Sequence, residues 1–211
     1  MPAKNNDLHG NVPDHCSVAL ILIDVINDME FESGEALFRN ALPAAKQMAA
    51  LRRRAKDAGI PVIYVNDNFG KWRSDFRQQL GHVLEDGVRG APIAKLLRPD
   101  REDYFVLKAK HSGFYHTQLD LLIDYLQVRT VILAGFATDM CVLFTASDAY
   151  LRDLNIVVPP DCSASAKTEH HQSAIEHMAR VLHVRTPAST DIDLAELIEE
   201  PQADSTPQSA V

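Results

Sequence analysis

The sequence has few cysteines and no long apolar run. Cys16, Cys141 and Cys162 are the three cysteines in 211 residues, and without a CxxC pair they predict neither a disulfide framework nor a zinc ribbon. A reducing cytosol fits this usage best. No stretch approaches the roughly 18 apolar residues of a membrane span, and residues 1–16 lack the apolar core of a signal peptide. We therefore expect a soluble, cytoplasmic protein.

Positive charge is also scarce. Lysine and arginine number 21 against 29 acidic residues, and the formal net charge is −8, which argues against a general binder of phosphate backbones. No GxGxxG or GxxxxGK[ST] motif follows a predicted strand, which disfavours a nucleotide-binding module. We expect a small-molecule substrate, with neither nucleic acid nor membrane as a partner.

Short apolar runs alternate with helical patterns along the chain. Six strands are predicted by the runs at 17–24, 60–66, 104–110, 130–134, 155–160 and 181–186,. Helical spacing lies between them, for example over 42–58, with Pro43 in the first turn. The alternation predicts one α/β domain over 17–198, a three-layer α/β/α sandwich with a six-stranded, mainly parallel, doubly wound sheet. Residues 1–16 are expected to form an arm and 199–211 a mobile tail.

Cys141 follows the fourth predicted strand, in the first turn of a helix. Apolar residues recur at three- and four-residue spacing from Val142 to Tyr150,. The free N–H groups and the dipole at a helix start stabilise an anion, so we expect a lowered thiol pKa and a nucleophile at this position. A free cysteine is also a common core residue, so position alone leaves a structural role open.

Two further charged residues are predicted at strand ends. Asp24 closes the first strand and Lys108 lies near the end of the third. The carboxyl ends of parallel strands share one edge of a sheet, where ligands bind. A carboxylate there can take a proton from a thiol, and an ammonium can stabilise the negative charge of an acyl-transfer transition state. Lys110 is a rival for the lysine role because alternate strand residues face the same side.

The sequence resembles the isochorismatase-like cysteine hydrolase superfamily, which includes nicotinamidases and N-carbamoylsarcosine amidases. The similar segments are ALILIDVINDM at 19–29, VLKAKHSGF at 106–114, GFATDMCVLFTASDAY at 135–150 and VPPDCSAS at 158–165 with the helix of His171. The resemblance implies that Asp24 is the general base, Lys108 the electrostatic partner and Cys141 the nucleophile. It also implies a cis peptide between Phe136 and Ala137, and an oxyanion hole formed by the backbone N–H groups of Ala137 and Cys141.

The resemblance does not extend to a metal site. Nicotinamidases of this superfamily carry an Asp-x-His pair after the second strand and another histidine, whereas residues 66–76 here contain no histidine. Asp67 and Asp75 alone are typical of solvated loop carboxylates. One predicted helix carries three histidines without an HExxH pattern, namely His170, His171 and His177. We expect no metal and no cofactor, and a structural role for Cys162.

Together these observations predict a metal-independent cysteine hydrolase that cleaves a C–N bond of a small amide or carbamoyl compound through an acyl-cysteine. One alternative is an isochorismatase-type vinyl-ether hydrolase in which Asp24 is an acid. Another is a noncatalytic or redox-responsive protein with an oxidisable cysteine. The loop residues expected to border the substrate are Asn27, Trp72, Phe114 and Tyr115. Members of the superfamily are usually oligomers, so a homo-oligomer is expected.

Overall fold

A parallel sheet lies at the centre of the computed structural model, which describes residues 15–69 and 75–200. Its strands are β1 Val18–Ile23, β2 Val62–Asp67, β3 Tyr104–Lys108, β4 Thr130–Phe136, β5 Asn155–Val157 and β6 Ser163–Ala164. Their order is β3-β2-β1-β4-β5, and β6 pairs with the end of β4. Each pairing among these strands is parallel. The predicted doubly wound sheet is therefore confirmed, with the order reversing between β1 and β4.

The two central strands are buried on both faces. All six residues of β1 and all seven of β4 are buried, as continuous apolar runs predict for a parallel sheet covered by helices. Leu20 and Leu22 belong to the apolar cluster on one face. Ile21 and Leu133 belong to the cluster on the other face. This alternation divides the core into two layers, one on each side of the sheet.

Helices cover both faces of the sheet. In the described part of the chain the α-helices are α1 Gly34–Asp57, α2 Phe76–Glu85, α3 Ala91–Leu96, α4 Leu119–Leu126, α5 Leu143–Tyr150, α6 Thr168–Val181 and α7 Leu194–Glu199. The prediction that the first helix starts at residue 42 was wrong, because α1 begins at Gly34 and Pro43 lies inside it. Leu37 and Ala41 are buried, and their packing extends the helix through an exposed proline,.

The predicted strand at 181–186 was also wrong. Val181 is the last residue of α6, and Arg185 forms only an isolated bridge with Val157. The sixth strand is the two-residue β6, whose partners are Gly135 and Phe136. Val184 is buried in the loop after α6, and this packing explains why the segment is apolar although it is not a strand.

Some predicted segments fall mostly or wholly outside the described residues. Of the predicted arm only residues 15–16 are described, and of the predicted tail only 199–200. Trp72 lies in the undescribed stretch 70–74. Within the described ranges, no helix has both the length and the apolar character that crossing a bilayer requires.

Candidate active site

Asp24, Lys108 and Cys141 lie close together at the carboxyl edge of the sheet. Asp24 directly follows β1, Lys108 is the last residue of β3, and Cys141 follows β4. The Lys108 Nζ atom lies 2.8 Å from Asp24 Oδ2 and 3.5 Å from Cys141 Sγ. The side chains of Lys108 and Asp24 are 0% and 7% exposed, so little water screens their charges.

A second carboxylate belongs to this cluster. Asp67, the last residue of β2, donates its backbone N–H to Asp24 Oδ1 at 2.7 Å. Its own Oδ2 lies 3.5 Å from Lys108 Nζ. The expectation of a solvated loop carboxylate was therefore wrong for Asp67, because β2 runs between β1 and β3 and ends at the same edge. The rival lysine, Lys110, lies beyond the end of β3 and is exposed.

Cys141 lies in a π-helical turn, Thr138–Val142, and α5 begins only at Leu143. The prediction that Cys141 lies in the first turn of the α-helix was therefore wrong, because α5 begins only after Cys141. The peptide bond between Phe136 and Ala137, just before this turn, is cis. The turn keeps Cys141 half-buried beside the apolar cluster of α4 and α5. The oxyanion role of the Ala137 and Cys141 N–H groups stays a prediction.

The π-helical turn is held in place from the side of α6. The hydroxyl of Thr138 and Nδ1 of His171 are 2.8 Å apart. The backbone N–H of Asp139 donates to Ser165 Oγ at 3.2 Å, and the Asp139 carboxylate lies 3.3 Å from His170 Nδ1. His170 and His171, for which we expect no metal, therefore support the segment that carries Cys141.

The electrostatics contradict the expected lowering of the Cys141 pKa. Burial, followed by the negative charge of Asp24, raises the pKa of this thiol to about 12. Burial also raises the pKa of Asp24, against the lowering effect of Lys108. For Lys108, burial lowers the pKa, but the neighbouring Asp24, together with Cys141 and Asp67, outweighs burial and leaves the pKa raised. Burial and Asp24 thus disfavour the thiolate, which must form by proton transfer within the cluster.

His111 is a neighbour of Cys141 that the sequence did not single out. Its Nδ1 atom lies 3.8 Å from Cys141 Sγ, and its ring centre lies 5.5 Å from that of Phe144. The available signal was its place in the loop after the strand that carries Lys108, together with the frequent use of histidine in proton transfer.

The residues predicted to contact substrate have different surroundings. Phe114 is 2% exposed and packs in the core with the guanidinium of Arg152 4.7 Å above its ring, and its contact with substrate stays a prediction. Asn27 accepts a hydrogen bond from a backbone N–H two residues later, and Tyr115 is 53% exposed. For these two residues, substrate contact stays a prediction, and Trp72 is not among the described residues.

No metal cluster occurs in the described residues, where no three His, Cys, Asp or Glu side chains converge to hold an ion. His177 is exposed on α6. Cys162 belongs to the apolar core, and burial together with Asp161 raises its thiol pKa to about 12. This placement agrees with the structural role expected for Cys162.

Comparisons with known proteins indicate a single family. The family described as isochorismatase domain matches residues 18–189. The uncharacterized isochorismatase family protein YaaI from Bacillus subtilis is 38% identical over 164 residues, which cover 78% of this chain and 90% of YaaI. Ureidoacrylate amidohydrolase RutB from Methylorubrum extorquens is 32% identical over 147 residues, covering 59% and 58% of the two chains. The crystal structure of N-carbamoylsarcosine amidase from Thermoplasma acidophilum aligns with a TM-score of 0.66 and 27% identity, covering 84% of this chain and 99% of that one.

Proposed function

The chain belongs to the isochorismatase family of hydrolases, and from this premise we propose that it is a metal-independent cysteine hydrolase of small amide or carbamoyl compounds. The main support is the ammonium of Lys108, which lies 2.8 Å from the Asp24 carboxylate and 3.5 Å from the Cys141 sulfur. A base, a cation and a nucleophile within contact of one another form the set that acyl transfer requires. The similarity to amidohydrolases such as RutB supports the C–N bond as the target.

Acylation begins with a proton transfer inside the cluster. Asp24 takes the thiol proton as the sulfur of Cys141 attacks the substrate carbonyl carbon, and the carbonyl oxygen becomes an oxyanion. Lys108 and the N–H groups of the π-helical turn stabilise this negative charge. The C–N bond then breaks, the Asp24 carboxyl returns its proton to the leaving nitrogen, and the acyl group remains on sulfur.

Burial of the Cys141 thiol disfavours its oxidation in the absence of a base. Oxidation proceeds through the thiolate, and a thiol whose pKa is raised to about 12 forms little free thiolate at neutral pH,. In the hydrolase this pKa is no obstacle, because the base lies within the same buried cluster and transfers the proton during the attack.

A vinyl-ether hydrolase is the second candidate, and one observation favours it. The raised pKa of Asp24 also suits a carboxylic acid that protonates a substrate. In that reaction Cys141 would be a bystander. The contact between Lys108 and the Cys141 sulfur supports the cysteine hydrolase instead, because a bystander thiol gains nothing from a neighbouring cation.

Replacing Cys141 tests the proposal. Wild type, Cys141→Ala and, as a matched control, Cys16→Ala are assayed against a panel of small amides, ureas and carbamoyl compounds. We expect kcat to fall by about 10³-fold or more in Cys141→Ala, because the nucleophile is lost, and to stay unchanged in Cys16→Ala. Intact mass spectrometry of quenched wild type should show an acyl adduct on Cys141. Full activity of Cys141→Ala would refute the covalent mechanism.

A further inference from the structure

His111 lies on the solvent side of the proposed nucleophile. Its imidazole is exposed, whereas Asp24 and Lys108 are buried. The 3.8 Å separation of Nδ1 and Sγ is within hydrogen-bond distance for sulfur. A molecule that approaches Cys141 from solvent therefore meets the imidazole before it reaches the buried pair.

The loop that carries His111 is hydrogen-bonded to the helical segment that carries Cys141. The Gly113 N–H donates to Thr145 Oγ1 at 3.0 Å, and Thr145 Oγ1 donates to the Cys141 carbonyl oxygen at 2.6 Å. Ser112 Oγ donates to the Asp148 carboxylate of α5. One residue, Thr145, thus joins both segments and holds the imidazole near the sulfur.

Hydrolysis of the acyl-enzyme needs a base that can reach water. The Asp24 carboxylate serves acylation from inside the buried cluster, where the Asp67 N–H on Oδ1 and Lys108 Nζ beside Oδ2 hold it in place. Asp24 is also 5% exposed. A water molecule attacking an acyl group on sulfur arrives from the exposed side, where Nδ1 of His111 is the nitrogen in contact with that sulfur.

We propose that His111 is a further catalytic residue, which activates the water that hydrolyses the acyl-enzyme; this inference rests on the proposed function. Nδ1 takes a proton from water as its oxygen attacks the thioester carbon. The tetrahedral intermediate collapses, the C–S bond breaks, and the acid product leaves. The imidazolium then returns its proton to the sulfur, which restores the Cys141 thiol and the neutral imidazole.

Burst kinetics with 4-nitrophenyl acetate test this role, because this ester acylates a thiol without protonation of its leaving group. In His111→Gln we expect a full burst of nitrophenolate followed by a steady-state rate about 10²-fold below wild type. Acetylated Cys141 should accumulate in the intact mass. His111→Phe, which keeps a ring beside Phe144, should show the same defect. The control is His177→Gln, at an exposed position on α6, which should match wild type.

The possible results distinguish a failure of the His111 role from a failure of the proposed covalent hydrolase. Wild-type deacylation in both His111 variants would overturn the role of His111 while leaving the acyl-cysteine intact. Wild-type deacylation in His111→Phe alone would show that the ring only packs, and would also overturn it. Nitrophenolate release by wild type that is no faster than release by Cys141→Ala, with no adduct on Cys141 in wild type or in the His111 variants, would instead refute the covalent hydrolase itself.

Discussion

At the scale of single residues, Asp24 decides how the site responds to pH. Its carboxylate contacts the Lys108 ammonium, accepts the Asp67 N–H and shares a hydrogen bond with the Cys141 thiol. Burial raises its pKa more than these partners lower it. A base must be deprotonated to act, so the proposed reaction is lost when the pH falls through this raised pKa.

The acid limb of kcat/KM is therefore expected above pH 3.8, the ordinary pKa of an aspartate,. Initial rates measured from pH 4 to pH 8 with the best substrate of the panel check this expectation. Asp67→Asn is the matched control, because it keeps the backbone N–H that binds Asp24 while removing the second carboxylate. A limb that disappears in this variant would assign the titration to Asp67 and contradict the prediction.

At the scale of elements, the absence of a side chain at Gly135 allows the end of β4 to pack against the end of β1, just before the π-helical turn. It has a φ of 129°, and an added Cβ would lie 2.0 Å from the Ile23 backbone oxygen. Neither atom can move away without separating the paired ends of β1 and β4. A glycine at this position thus places Cys141 next to Asp24.

Gly135→Ala should therefore destabilise the fold by more than about 3 kcal/mol, since both the clash and the positive φ oppose a side chain. The control is Gly81→Ala in α2, where nothing lies within 4 Å of an added Cβ. Alanine there should stabilise the protein by about 0.5–1 kcal/mol through helix propensity. Urea unfolding of the two variants measures both effects, and equal midpoints would contradict the prediction.

At the scale of the whole molecule, contacts distant in sequence tie the C-terminal segment to the first strand and helix. The hydroxyl of Ser17 donates to the Ile198 carbonyl at 2.8 Å. Arg54 of α1 donates to the carbonyl oxygens of Ser189 at 2.7 Å and Ile192 at 2.5 Å. These bonds hold the C-terminal segment on the face of the sheet that α1 covers, opposite the face that α4 and α5 cover.

Arg54→Ala should lower the free energy of unfolding by about 2 kcal/mol, because two backbone acceptors lose a charged donor. Arg53→Ala, at the exposed neighbouring position, should change it by less than about 0.5 kcal/mol. Thermal and urea unfolding of both variants provide the comparison. If Arg53→Ala lowers the free energy of unfolding as much as Arg54→Ala does, the loss comes from replacing an arginine of α1 with alanine. It would then not come from breaking the bonds to Ser189 and Ile192.

The sequence alone determined the central architecture and the proximity of three site residues. Continuous apolar runs predicted β1 and β4, because a strand buried on both faces needs apolar side chains in both directions. The parallel arrangement then brought Asp24, Lys108 and Cys141 to one edge, because parallel strands end on the same side. The family resemblance drew on those same segments.

Only the tertiary structure decided the burial of these groups and the distances between segments remote in the chain. The packing of Leu37 and Ala41 extended α1 through Pro43. The thiol pKa of Cys141 rises with burial, and the contact of His111 with its sulfur depends on hydrogen bonds between a loop and a helix. Periodicity reports which face of an element is apolar, whereas desolvation and contact depend on atoms that the fold brings together from distant positions.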